Sequence, residues 1–212
     1  MQLPEELASI FRIVLRHSAM DFWEETITER ADSLQRDVRA CLEKEAAFPA
    51  MLYCFATVDF LGAVAFGNAS SHAPTTAQAA NYMKQFMGYS EEQVRLLQRQ
   101  FRHKLVHLGQ PSPLVRDAGR LIAWRYWHDN ADVHLKLIPF GSAKWHEPWE
   151  FAVSFAGMFP FDYEFNLSIT HFASEIVSSA IGPQGFIVQM RQNAALQDNV
   201  RRAISQILNS EV

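Results

Sequence analysis

The chain has 212 residues, 49% of them hydrophobic and 20% charged, a balance typical of a globular protein with a sizeable core. Its formal net charge of −4 argues against a protein that coats nucleic acid without sequence preference. Two cysteines, Cys41 and Cys54, are too few for a disulfide framework and lack the spacing of metal ligands. Because Glu5 and Glu6 stand where a signal peptide would carry basic residues, the sequence predicts a cytoplasmic protein.

Three helices are predicted before residue 67. Pro4, followed by two acidic residues, is typical of a helix start, and Asp21 is a plausible cap for a second helix. The third helix, from Ala50 to about Phe66, is apolar nearly all round and reaches roughly the lower limit of a membrane span. It contains Asp59 and lacks a basic flank, so we expect the central helix of a bundle and no membrane insertion.

The next segment predicts a loop and two helices. Residues 67–76 are rich in small polar residues, and Thr75 or Thr76 would cap a helix that ends before Gly88. Ser90, with Gln93 three residues later, has the pattern of a capping box for the following helix. That helix places five apolar residues on one stripe: Val94, Leu97, Phe101, Leu105 and Leu108.

The C-terminal half predicts a small antiparallel sheet followed by helices. Residues 121–128 and 133–140 are short and rich in aromatic and β-branched residues, with Asp129 and Asn130 between them, which indicates a hairpin. Residues 163–170 alternate apolar and polar and predict a third strand. Helices are predicted over residues 171–181 and 184–208, with a break at Gly182 and Pro183.

The helix that begins after Ser90 is locally basic. No acidic residue occurs between Glu92 and Asp117, whereas the stretch contains fixed charges and histidines: Arg95, Arg99, Arg102, Lys104, Arg116, His103 and His107. At 100° per residue, the first three arginines fall on one side of the helix, opposite the apolar stripe. This side is interpreted either as a solvated face or as an RNA-binding face formed by Arg95, Arg99 and Lys104.

Arg102 and His107 suit RNA cleavage without a metal. Histidine can act as base or acid near neutral pH, and arginine supplies a permanent bidentate charge to the phosphate. Along an ideal helix, however, the two residues point about 140° apart and are separated by about 7.5 Å of rise. Two copies that face each other across a twofold axis would bring both groups to one phosphate, which predicts a homodimer.

The phrase FRHKLVHLG, residues 101–109, resembles the R-(4 to 6)-H motif helix of the HEPN superfamily, of the type found in plasmid or phage-defence proteins. The resemblance covers roughly residues 1–110. It implies an all-helical bundle that dimerises to form a composite endoribonuclease cleft, with Arg102, His107 and the polar residue His103 as catalytic residues. Partners that the resemblance implies are RNA, a second copy of the chain and a cognate antitoxin or other protein.

Other candidate residues have structural alternatives. His103 and His107 are spaced for a metal, but no third ligand lies nearby, so we predict no metal and no cofactor. Asp59 needs a partner if buried: it either satisfies a core hydroxyl or arginine, or it orients Arg102 or His107. The aromatic residues of the C-terminal half are interpreted as core or interface more often than as base-stacking groups: Trp124, Tyr126, Trp127, Trp145, Trp149, Phe151 and Phe155.

The sequence therefore predicts a mainly α protein: a HEPN-like antiparallel helical bundle over residues 1–110, and residues 111–212 with a small antiparallel sheet (about 120–170) and C-terminal helices packed on the bundle. The expected function is a metal-independent endoribonuclease, related to toxin–antitoxin systems or phage defence. The alternative is a catalytically inactive HEPN-like regulatory module that binds nucleic acid or protein. A motif shared between facing protomers would favour the nuclease, and a motif buried inside one protomer would favour the regulatory module.

Overall fold

A computed structural model describes residues 5–70, 73–103, 105, 114–142 and 161–209, with side chains described from Met20 to Ile207. The protein is mainly helical with a small four-stranded sheet. In chain order the helices are α1 (Glu5–Glu43), α2 (Ala47–Phe66), α3 (Thr75–Phe86), α4 (Glu91–Leu96), α5 (Ile169–Ile181), α6 (Phe186–Gln192) and α7 (Ala194–Asn209). A π-helical turn, Leu97–Arg102, follows α4 directly.

The predicted pair of N-terminal helices is a single helix of 39 residues, α1. Asp21 lies inside it with an exposed side chain, and the prediction that Asp21 caps a second helix is wrong. No glycine or proline occurs between residues 5 and 43, so neither of the strongest helix breakers divides α1 near Asp21.

The apolar helix α2 is the centre of the bundle, as predicted. It packs against α1, α3, α5 and α7, and most of one side is fully buried, with Met51, Cys54, Phe55 and Val64 at 0% exposure. Among the described residues α2 is the one helix long and apolar enough to cross a membrane by length and composition. Its partners within the protein account for that apolar character.

The sheet contains β1 (Val115–Asp117), β2 (Arg120–Trp127), β3 (Leu137–Pro139) and β4 (Tyr163–Ser168), in the spatial order β1-β2-β4-β3. The predicted hairpin of residues 121–128 and 133–140 is wrong, because β4 lies between β2 and β3. β2 pairs with β4 in parallel, so the sheet is mixed and not antiparallel. Between β2 and β3 the chain turns twice, at a short 3₁₀ turn (Ala131–Val133) and at Leu135, whose φ of 54° is left-handed. These turns direct β3 away from β2.

The C-terminal helices close the bundle. α5 packs on α1 and α2, and α7 packs on α2. The predicted break at Gly182 and Pro183 is present, but the helix predicted over residues 184–208 is divided at Asn193 into α6 and α7. Asn193 is extended, and its side-chain oxygen accepts the backbone N–H groups of Ala195 and Leu196 at 3.0 and 3.4 Å, which starts α7.

Candidate functional site

The helix that carries the motif begins with a complete capping box. The Ser90 hydroxyl accepts the Gln93 backbone N–H at 3.2 Å, and the Gln93 side chain accepts the Ser90 backbone N–H at 2.9 Å. The predicted apolar stripe is buried at Val94, Leu97, Phe101 and Leu105. Leu108, the fifth residue of that stripe, lies outside the described residues.

The π-helical turn Leu97–Arg102 changes which way the motif residues face. Its hydrogen bonds run from residue i to i+5, as in the bond from the His103 N–H to the Gln98 carbonyl, so each turn is wider than an α-turn. The prediction that Arg95, Arg99 and Arg102 share one side of the helix is therefore wrong. Arg95 and Arg99 face the strand β1, whereas Arg102 faces α2 and α3.

Arg102 is held inside the protein by four hydrogen bonds. Its Nε and Nη2 atoms donate to the two carboxylate oxygens of Asp59, each at 2.8 Å, in a bidentate ion pair. Nη1 donates to the Thr76 hydroxyl at 2.7 Å, and Nη2 donates to the Thr75 hydroxyl at 3.1 Å. The Arg102 side chain is only 10% exposed. These contacts tie the π-helical turn to the middle of α2 and to the first turn of α3.

The two threonines do not cap α3, contrary to the expectation from the sequence. The N-cap position of α3 is Pro74, and no side chain caps it. Thr75 and Thr76 instead point their hydroxyl oxygens at Arg102. The guanidinium is charged, so its hydrogen bonds to these hydroxyls are stronger than bonds from neutral backbone N–H groups would be.

Asp59 depends on Arg102 for its charge. Burial raises the pKa of Asp59 above the ordinary aspartate value, against the opposing effect of the hydrogen bonds and charge of Arg102. Without the guanidinium, burial would act alone and favour the neutral acid. The contact matches both roles predicted for Asp59, because Arg102 is at once a buried arginine and the arginine of the motif.

Arg95 and Arg99 are also paired within the chain. Arg95 makes a bidentate contact with Asp117 at 2.7 and 2.9 Å, and Arg99 reaches the same carboxylate at 3.3 Å. Arg120 lies 3.5 Å from Asp117 and 2.5 Å from Glu92. The hydrogen bond from Arg95 lowers the pKa of Asp117. Asp117, which only bounds the basic stretch in sequence, thus folds back onto it and reduces its field.

The remaining predicted site residues fall at or beyond the edge of the described chain. His103 is exposed. Lys104 and His107 lie outside the described residues. The Arg102 half of the motif is inside one protomer, in contact with its own Asp59.

A second polar cluster was missed by sequence reasoning. His134 accepts the Ser168 backbone N–H at Nδ1 (3.1 Å), so its proton is on Nε2, which lies 3.2 Å from the Glu175 carboxylate. The Tyr89 hydroxyl donates to the same carboxylate oxygen. Nearby, Nδ1 of His171 lies 3.0 Å from the Ser168 hydroxyl. These residues come from three separate segments, and only Ser168, His171 and Glu175 are close to one another in sequence.

This cluster should make the protein sensitive to acid. Burial raises the pKa of Glu175, but the hydrogen bonds from His134 and Tyr89 outweigh that effect and hold it below the ordinary value. A depressed pKa means that Glu175 stabilises the fold above the pKa of a free glutamate, roughly 4.3, and that this contribution is lost as the pH falls through the folded value. The difference in urea midpoint between wild type and Glu175→Gln should therefore shrink between about pH 5 and pH 3. A difference that stays constant over that range would contradict the assignment.

The described aromatic residues of β2 lie at the junction of sheet and bundle. The Trp124 ring is half-buried and packs edge-to-face on Phe48 and Phe101, with centroids 6.3 and 5.7 Å apart. Trp127, on the other face, donates its indole N–H to Asn166 at 2.8 Å. Both contacts fit the predicted core role of these residues. Trp145, Trp149, Phe151 and Phe155 lie outside the described residues.

Comparisons with known proteins do not assign the chain. No family model matches it, and no curated protein or solved structure matches it. Within the described part of the chain, no group of three or more His, Cys, Asp or Glu side chains is arranged to hold a metal ion. The HEPN resemblance therefore stays a prediction from the motif.

Proposed function

We propose that this chain is a regulatory module with a HEPN-like bundle, which acts by binding a partner and does not cleave RNA through Arg102. One observation carries the proposal: the Arg102 guanidinium makes a bidentate pair with Asp59 and donates to two threonine hydroxyls of the same chain. A phosphate that approached Arg102 would have to displace a carboxylate that already occupies the same bidentate geometry.

The magnitudes favour the internal pair. Removing one member of a buried ion pair typically costs about 3–5 kcal/mol, roughly the loss that Asp59 would suffer if Arg102 turned to a phosphate. A bidentate phosphate would return two charged hydrogen bonds of about 1.5–3 kcal/mol each, which roughly offsets the loss of the Asp59 pair. The hydrogen bonds from Arg102 to Thr75 and Thr76 would be lost in addition, so binding of RNA at Arg102 would gain little.

The second candidate function is the metal-independent endoribonuclease, formed at a composite cleft of a homodimer. The π-helical turn that ends at Arg102 favours it, because such turns are frequent at functional sites. In this mechanism His107 moves the proton of the attacking ribose 2′-hydroxyl or of the leaving oxygen. Arg102, oriented by Asp59, stabilises the charge on the phosphate. RNA is the substrate, and a second protomer supplies the other half of the cleft.

Cleavage of a labelled single-stranded RNA in the presence of chelator separates the two functions. The regulatory proposal expects the wild-type protein to cleave no faster than His107→Ala, with Arg36→Ala, at the exposed pair with Asp37 on α1, as the control. Chelator-resistant cleavage that leaves a cyclic phosphate, spares DNA and falls by about 10²–10⁴-fold in His107→Ala would overturn the proposal in favour of the nuclease.

The oligomeric state supports that measurement. A composite cleft needs two protomers, so a nuclease that remained strictly monomeric at micromolar concentration in light scattering could not work by this mechanism. The regulatory module does not require a dimer. A dimer that does not cleave RNA is consistent with the first proposal and contradicts the second.

A further inference from the structure

We propose that a cleft between α1, the end of β2 and the start of α5 binds a single unpaired nucleobase of the guanine type. This inference gives a ligand to the binding function proposed above and rests on it. The cleft has a volume of about 460 Å³, which lies in the usual range of small-molecule sites. The side chains of the cleft come from all three elements, among them Val38, Leu42 and Glu43 of α1, His128 and Asp129 after β2, and Ala173 of α5.

The cleft lies where the topology of the sheet favours a ligand. β2 and β4 are parallel, with Trp127 opposite Ser168, so both strands end at the same edge of the sheet. His128 and Asp129 follow β2, and α5 begins directly after β4. In α/β structures, ligands bind in the crevice outside the carboxyl ends of parallel strands, and this two-strand pair forms a small version of that edge.

A row of parallel aromatic rings leads into the cleft. The Trp124 and Tyr126 rings have centroids 5.9 Å apart and planes within 18°, and the Tyr126 and His128 rings are 6.3 Å apart and within 15°. His128 ends the row, is exposed and lines the cleft. Its backbone is fixed, because the His128 carbonyl accepts both the N–H and the hydroxyl of Thr170. A planar base can extend this row, since base–aromatic stacking needs only an accessible ring face.

Asp129 supplies an oriented acceptor beside that ring. Its Oδ1 atom lies 3.1 Å from Nδ1 of His171, and the same nitrogen lies 3.0 Å from the buried Ser168 hydroxyl. The carboxylate is therefore anchored to the first turn of α5 while most of its surface remains exposed. A carboxylate accepts two parallel N–H donors, and among the RNA bases guanine alone presents a ring N–H beside an exocyclic amino group.

The charges of the cleft favour a neutral group over a phosphate. Arg39 shares the lining with two carboxylates, Glu43 and Asp129, so the carboxylates of the lining outnumber its arginine. Val38, Leu42 and Ala173 form an apolar surface suited to the face of a base. A guanine base meets both requirements, whether in free guanosine or in an unpaired position of RNA, whose phosphodiester carries a single charge. The monoester of guanosine 5′-monophosphate carries nearly two charges and would be repelled more strongly by the two carboxylates.

Isothermal titration of the full chain with guanosine, adenosine, uridine and guanosine 5′-monophosphate tests the proposal. We expect guanosine to bind at least about tenfold tighter than uridine or adenosine, and the monophosphate to bind more weakly than guanosine. Asp129→Asn should weaken guanosine binding about tenfold or more, as expected for a lost charged hydrogen bond. His128→Ala should also weaken it by removing the stacking surface. Asp132→Asn, an exposed aspartate of the neighbouring 3₁₀ turn that does not line the cleft, is the matched control and should bind as wild type.

Two further binding measurements distinguish RNA from the free nucleoside as the source of the base. An oligoribonucleotide with one unpaired guanine should compete with guanosine if RNA is the source, and free guanosine alone should bind if the nucleoside is. Absence of saturable guanosine binding at millimolar concentration, or equal effects of Asp129→Asn and Asp132→Asn, would overturn the inference. Neither result depends on RNA cleavage. The regulatory proposal is tested separately and would be overturned by chelator-resistant cleavage that requires His107.

Discussion

Arg102→Ala should lower the melting temperature by on the order of 10 °C. Breaking a buried ion pair by removing one partner typically costs about 3–5 kcal/mol, and each kcal/mol shifts the melting temperature of a chain of this size by about 2–4 °C. Here the loss also leaves the hydroxyls of Thr75 and Thr76 without their donor. Thermal unfolding followed by circular dichroism measures the shift directly.

Variants of the same pair provide the controls. Asp59→Ala should be similarly damaging, because it leaves the guanidinium buried beside two hydroxyls alone. The double variant Arg102→Met with Asp59→Leu should recover most of the loss, since apolar groups of similar size often replace a buried pair at little cost. Arg36→Ala, which breaks the exposed pair with Asp37, should change stability by no more than about 1 kcal/mol. A melting temperature for Arg102→Ala equal to that of wild type would contradict this structural role.

The stability result bears on the choice of function. A structural arginine predicts a large loss of stability and no change in RNA cleavage when Arg102 is replaced. A phosphate-binding arginine predicts the reverse, because an arginine available to substrate stabilises the free protein little. The melting temperature and the cleavage rate of Arg102→Ala, measured together, therefore separate the regulatory module from the nuclease. Cleavage is assayed well below the unfolding transition of the variant, so that its lower stability does not affect the rate.

Local sequence signals predicted the helix ends well where a side chain or a glycine acts on its own backbone. The capping box of Ser90 and Gln93 depends on residues three apart and appears as predicted. The break at Gly182 and Pro183 likewise depends on local backbone restrictions. Asn193 was missed because an asparagine in a helical pattern is an ambiguous signal, and whether it caps a new helix depends on how α6 packs.

The sheet shows why strand pairing is harder to predict. Two aromatic segments close in sequence suggested a hairpin. Their pairing, however, depends on which strand lies in the centre of the sheet, and that strand, β4, begins about 24 residues after β3 ends. β4 is buried along nearly its whole length, as a central strand requires, although its alternating pattern indicated a half-exposed strand. β1 was not predicted, because the turn that joins it to β2 has alanine at position 118. Ala118 adopts a positive φ of 47° before Gly119, and alanine is unusual at such a position.

The candidate site was predicted in part. The sequence singled out Asp59 as a carboxylate needing a partner and Arg102 as a central residue, but it could not join them, since their contact spans 43 positions and depends on the π-helical turn. The basic face was overestimated for a similar reason. In sequence Asp117 only marks the boundary of the basic stretch, yet in the fold it lies within reach of Arg95, Arg99 and Arg120.

Gly62→Ala should destabilise the protein, although glycine is a poor residue inside a helix. A Cβ at position 62 would lie 2.8 Å from the backbone carbon of Gln78 and 2.9 Å from the backbone nitrogen of Ala79. Backbone atoms cannot rotate away, so α3 would have to move from α2. Overpacking of this kind typically costs about 1–3 kcal/mol and occasionally more, which exceeds the gain of about 1 kcal/mol in helix propensity.

The adjacent residue gives a reciprocal control. Ala63 is half-exposed in the same helix, and Ala63→Gly should destabilise by about 1 kcal/mol through propensity alone. Opposite substitutions at neighbouring positions should therefore both lower the urea midpoint, and Gly62→Val should lower it further than Gly62→Ala. Because α3 carries Thr75 and Thr76, its displacement should also loosen their hold on Arg102, so Gly62→Ala and Arg102→Ala should combine with less than additive loss. A higher midpoint for Gly62→Ala would show that α2 and α3 are not in such close contact.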